Sequence, residues 1–255
     1  TLLSVAAMAL ASRPFAGGVR PVWAALSLAP AYLPALVIGQ NCLIWLAVLL
    51  AALYALRSDR PVLAGVIIGC LTLKPQLGLL IPIALLASGF DYWRLLVEKV
   101  GLHGDRMVTL IGELDLTVGP FFLASMLGLP IPAALALQWT ITGLAALSVF
   151  VFWRSARIGF DAKVALLMIA MLLSAPYLWY YEAAMMPAIG LFLVRAGILT
   201  TRPSHLLLLA LLWIGAGLQS ANIFLHLVPD RYLGGVIVTP VLVVAFALAW
   251  RHYLG

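Results

Sequence analysis

Residues 39–75 read GQNCLIWLAVLLAALYALRSDRPVLAGVIIGCLTLKP. A polar triplet (Gly39, Gln40, Asn41) opens the stretch, and an apolar run about one membrane crossing long follows it. Arg57 and Arg60 then mark a basic turn, and a second apolar run ends on a single cation, Lys74, followed by Pro75. A charge inside an apolar segment is expensive, so Lys74 is a candidate functional residue. Pro75 breaks a helix there and frees backbone groups that need partners. The plainer reading of Lys74 is a lysine at a helix end that reaches out to water.

The composition around this stretch agrees with it. Of 255 residues, 65% are hydrophobic and 9% charged, with a mean hydropathy of +1.13. Soluble domains carry about 25% charged residues, so the chain is an integral membrane protein. Strand alternation is absent and the apolar runs are long, which leaves a helix bundle as the spanning structure. Cys42 and Cys70 lie in apolar runs with no metal-site spacing and read as small core residues. The net charge of +6 does not point to nucleic acid, because the basic residues stand singly between apolar runs. Thr1 opens inside an apolar run, so the chain reads as a fragment lacking its N-terminal part, and residues 1–255 read as a single integral membrane domain.

Taken in order, helices are expected at about 1–11, 22–38 (kinked by Pro30 and Pro34) and 42–56. The run 62–88 is interrupted by Lys74-Pro75 and Pro82. Residues 90–117 hold eight of the 24 charged residues and read as an extramembrane loop with a short amphipathic helix, part of an outer loop over 90–130. Helices follow at about 133–153, 162–174, 183–196, 205–220 and 236–250, and the whole predicts about eight to ten membrane helices. Placing Arg13/Arg20, Arg57/Arg60, Arg154/Arg157/Lys163, Arg195/Arg202 and Arg251 on the cytoplasmic side puts ten of 15 basic residues there with two of nine acids. Gly39–Asn41, the 90–130 loop, Pro176–Glu182 and 221–235 then share the outer face.

Several polar groups accompany Lys74 on that face. Gln40 and Asn41 suit hydrogen bonds to sugar hydroxyls or a phosphate, and Asn41 equally suits a helix N-cap. Glu182 is the only acid in a strongly apolar setting, among Tyr177, Trp179, Tyr180 and Tyr181. Aromatics beside a carboxylate suit carbohydrate contact, and they also suit an interfacial belt. Arg94, Lys99, His103 and Arg106 on the loop suit a phosphate clamp, or pairing with the loop's own acids. Asn222 and His226 are weaker site candidates, and Gln138 and Gln219 inside apolar runs read as interhelical hydrogen-bond glue. No nucleophile elbow, P-loop, HExxH or zinc spacing is present.

Gly39-Gln40-Asn41, Arg57-x-x-Arg60-Pro-Val-Leu-Ala-Gly65 and Lys74-Pro75 together resemble glycosyltransferase family 87. Leu127-Gly128-Leu129-Pro130 followed by Gln138, and Ser174-Ala-Pro176-Tyr177 with Glu182, extend the resemblance over about residues 22–250. It implies a GT-C-like bundle in a bacterial inner membrane, with its active face periplasmic. The implied reaction is inverting transfer of a hexose, mannose above all, from a polyprenyl-phosphate donor to a glycan or lipid acceptor, without a metal or other cofactor. Under it, Lys74 meets the donor phosphate with His103 or Arg106, and Gln40, Asn41, Tyr181 and Glu182 line the substrate site. The family's catalytic acid is expected in an outer loop ahead of this sequence, which leaves Glu182 as the candidate within it. The alternatives are a flippase or transporter for lipid-linked sugars and a catalytically inactive membrane scaffold.

Overall fold

The computed structural model describes residues 2–69, 71, 117–226 and 233–254. Its elements are α1 (Leu2–Ser12), continued by a 3-10 turn (Arg13–Phe15), α2 (Arg20–Ser27), a 3-10 turn (Pro30–Tyr32) and α3 (Leu33–Ile38). Then come α4 (Cys42–Arg57), α5 (Pro61–Gly69), α6 (Pro120–Met126), α7 (Ile131–Arg154) and α8 (Phe160–Ser174). A 3-10 turn (Glu182–Met185), α9 (Met186–Arg195), α10 (Pro203–Ile214), α11 (Gly217–Leu225) and α12 (Leu233–Leu254) complete them. The one β pairing among the described residues is an isolated antiparallel bridge between Thr117 and Trp179. The chain is an all-α membrane helix bundle.

Proline, more than side-chain capping, starts these helices. α2, α3, α6, α7, α9 and α10 each carry proline in the first two positions, and none has a side-chain cap. Proline has no N–H to leave unsatisfied at a helix start and presets the helical φ.

Three stretches are long and apolar enough to cross a membrane: Arg20–Ile38, Ile131–Arg154 and Val236–Leu254. The pair α10 and α11 makes a fourth if it counts as one broken span. By length, then, the described residues supply fewer crossings than the expected eight to ten. Part of the difference is that α4 and α8, with 16 and 15 residues, are shorter than the roughly 20 residues a full span needs. Two expected helices are also interrupted. Residues 22–38 break at Pro30 into α2, a 3-10 turn and α3. Residues 205–220 bend by 59° between α10 and α11, where Gly215 adopts φ 52°. Of the 62–88 run only residues 62–69 and 71 are described, and the charged segment 90–116 lies outside the described residues.

α8 and α9 form the centre. Every α8 residue from Val164 to Ser174 is buried, as is α9 from Met186 to Leu193. A helix apolar on all sides belongs inside a bundle. Arg195 at the end of α9 pairs with Asp161 at the start of α8 at 3.1 Å, so the two helices run antiparallel as a hairpin. α7 and α12 pack on α8, while α1 and α5 pack on α4.

Gln138 of α7 supplies the interhelical link expected of it. Its Oε1 accepts the Phe121 backbone N–H at 3.1 Å, and its Nε2 donates to the Thr142 hydroxyl at 3.2 Å and the Leu173 carbonyl at 3.0 Å. α6, α7 and α8 are thus joined through one fully buried amide.

Candidate functional site

The tip of the α8–α9 hairpin, residues 175–185, is where the polar groups gather. Its shape follows from two reciprocal bonds. The Glu182 N–H donates to the Trp179 carbonyl at 2.9 Å, and the Trp179 N–H donates to Glu182 Oε2 at 3.2 Å. The Glu182 side chain is 1% exposed. A carboxylate so placed is costly unless hydrogen-bonded, and the turn's own backbone supplies one such bond.

Neighbouring segments fix this tip. The Val118 N–H donates to the Leu178 carbonyl at 2.8 Å, beside the Thr117–Trp179 bridge. The Thr239 hydroxyl of α12 donates to the Val118 carbonyl. The 3-10 turn Glu182–Met185 also packs against α3, α4 and the turn Pro30–Tyr32.

The aromatic cluster has a defined geometry. The Trp179 and Tyr181 rings stack with planes 11° apart and centroids at 6.0 Å. Tyr180 meets Tyr181 edge-on at 5.9 Å. Trp179 and Tyr181 are half-buried and Tyr180 is buried, so the stacked pair carries the accessible surface. Burial, and then the Glu182 charge, push the Tyr181 phenol above its usual range, with Cys42 and Tyr180 adding to the shift. Tyr181 therefore keeps its proton at neutral pH. The Glu182–Met185 turn that follows Tyr181 packs against α3 and α4, the helices that flank residues 39–41.

Gly39-Gln40-Asn41 links those two helices. Gly39 ends α3 with φ 73°, a conformation that favours glycine. Asn41 stands at the N-cap position of α4 but forms no side-chain capping bond. It is exposed and Gln40 half-buried, and neither side chain hydrogen-bonds another described residue. Trp45, one turn further along α4, donates its indole N–H to the Leu71 carbonyl at 3.2 Å.

Of the sequence-predicted residues, the structure thus packs the turn that begins at Glu182 against α3 and α4, which Gln40 and Asn41 connect. Lys74, His103 and Arg106 lie outside the described residues, as do Arg94 and Lys99. Asn222 and Gln219 are buried on α11, each with a partner. His226 ends that helix with φ 47°. Tyr32 was not anticipated. Its hydroxyl is buried without a hydrogen-bond partner, on a turn packed against Glu182–Met185. The available signal was a tyrosine set between two prolines, Pro30-Ala-Tyr-Leu-Pro34, in an otherwise apolar run. Among the described residues no three His, Cys, Asp or Glu side chains converge.

Residues 1–100 match the model of glycosyltransferase family 87. The match covers Gly39–Asn41, Arg57–Gly65 and Lys74-Pro75, and it supports the resemblance that those motifs carry, with glycosyl transfer as the general activity it implies. The pieces at 127–138 and 174–182 lie beyond the matched residues. No curated protein and no solved structure matches the chain.

Proposed function

We propose that this chain is a membrane glycosyltransferase that moves a hexose, mannose in the first instance, from a polyprenyl-phosphate donor to a glycan or lipid acceptor on the periplasmic face. The observation that carries the reading is the packing of the Glu182 turn against α3 and α4, the two helices joined by Gly39-Gln40-Asn41. The stacked Trp179–Tyr181 pair offers an apolar face for a sugar ring, and the phenol and the two amides offer hydrogen bonds to hydroxyls. Lys74, the cation of the matched Lys74-Pro75 motif, is proposed as a member of the same site.

In the proposed reaction a carboxylate takes the proton of the acceptor hydroxyl as its oxygen bonds the sugar's anomeric carbon. The bond from that carbon to the phosphate oxygen breaks, and the polyprenyl phosphate leaves with the electron pair. Lys74, with His103 or Arg106, offsets the charge that develops on the phosphate, and no metal is required. Glu182 is the candidate base within the chain; opening of the Trp179–Glu182 bond would release its oxygen for that task.

The test is transfer of labelled mannose from polyprenyl-phosphate-mannose in proteoliposomes. Transfer that falls in Lys74→Ala and Glu182→Gln supports both assignments. Full transfer in either variant removes that residue from the mechanism. Donor that crosses the bilayer without sugar transfer establishes a flippase instead.

A further inference from the structure

The opposite end of the hairpin holds a second polar centre. A cavity of about 590 Å³ opens there, lined by Arg57 at the end of α4, Arg157 before α8, Arg195 at the end of α9 and His252 near the end of α12. That volume suits a small ligand. Its acid, Asp161, is already engaged by Arg195 at 3.1 Å, which leaves Arg57 and Arg157 without an ion pair among the described residues. Like charges from separate elements that face one cavity repel unless an anion lies between them.

Backbone donors add to the guanidinium groups. Gly159, Phe160, Asp161 and Ala162 line the cavity; the first is the N-cap and the others begin the 15-residue α8, which has no side-chain capping bond. Such a turn presents unsatisfied N–H groups and a positive dipole end. Arg195 spends its two terminal nitrogens on Asp161 and on the Phe15 carbonyl, and its Nε is buried without a partner. Asp161 Oδ1 is likewise buried without a partner, and the Asp161 charge is met by Arg195. Apolar wall comes from Phe152 and Ala249. Forked cationic donors, amide donors and an apolar wall together match a phosphate carried on an organic group.

We propose that this cavity binds a phosphate ester, either the headgroup of an anionic lipid or a soluble organic phosphate, at a site separate from the sugar-transfer site. The site does not depend on the glycosyltransferase reading, because none of its residues belongs to the Glu182 turn.

The full chain in phosphatidylcholine nanodiscs tests this, with phosphatidylglycerol and glycerol 1-phosphate as the two probes and native mass spectrometry as the readout. The double variant Arg57→Gln/Arg157→Gln removes two exposed charges, and Arg202→Gln removes one outside the cavity. Circular dichroism checks that each is folded. Phosphatidylglycerol retained by the wild type and the Arg202 variant, but bound roughly tenfold or more weakly by the double variant, supports a lipid ligand. The same pattern with glycerol 1-phosphate supports a soluble one. Binding of neither probe, undiminished binding in the folded double variant, or equal loss in the Arg202 variant overturns the proposal.

Discussion

Arg195 and Asp161, 34 positions apart in sequence, meet at 3.1 Å across the foot of the central hairpin. The arginine also reaches the Phe15 carbonyl at 2.8 Å, so one side chain joins the 3-10 turn after α1 to α8 and α9. Each partner of the ion pair is 21% exposed, which places the pair between a surface pair and a buried one. Asp161→Asn is expected to cost about 1–3 kcal/mol, read as a lowered thermal midpoint in detergent. Arg195→Met with Asp161→Asn completes a double-mutant cycle, and a coupling energy near zero would show that the pair contributes no stability.

Gln138 makes three hydrogen bonds inside the bundle. Gln138→Leu leaves the Phe121 N–H buried and unpaired, at an expected cost of about 1–3 kcal/mol. Thermal unfolding checks this. Thr142→Val removes only one of the three bonds and should cost less.

The approach of α11 to the Pro30 turn depends on a missing side chain. A Cβ on Gly217 would stand 2.7 Å from the Pro30 carbonyl oxygen, which is backbone and cannot swing aside. Gly217→Ala should destabilise by about 1–3 kcal/mol. Gly143→Ala, where a Cβ meets nothing within 4 Å, should not. Equal thermal midpoints for the two variants would contradict the observed packing.

The stacked Trp179–Tyr181 pair is proposed to receive the sugar. Trp179→Ala should raise the KM for the donor or the acceptor at least several-fold, and Trp179→Phe should keep most of the binding, since aromatic contacts contribute about 0.5–1.5 kcal/mol beyond area. Steady-state transfer kinetics on both variants decide this. Addition of a chelator such as EDTA should leave the rate unchanged, and a rate restored only by divalent cations would refute the metal-independent mechanism.

Much of the helix layout was legible in sequence. α4, α7 and α8 begin and end within about two residues of where apolar runs meet arginine, glycine or proline, because those signals are local. The bend at Gly215 was not legible, since glycines 215 and 217 in an apolar run carry no sign of the positive φ that Gly215 adopts. Glu182 stood out as an acid among aromatics, whereas its bond to the Trp179 backbone depends on a turn that only the folded chain defines. The Arg195–Asp161 pair was invisible for a related reason. Charge patterning places both residues at one end of the bundle but does not say which arginine reaches which acid.

The central hairpin has almost no surface of its own to offer to lipid. Fifteen helical residues rise about 22 Å, so it is also shorter than the hydrocarbon layer, which is about 30 Å thick. Such a pair gains little by entering a bilayer alone. Its neighbours must enclose it, and the tip residues 175–185, the surrounding helices or a locally thinner bilayer must make up the missing length.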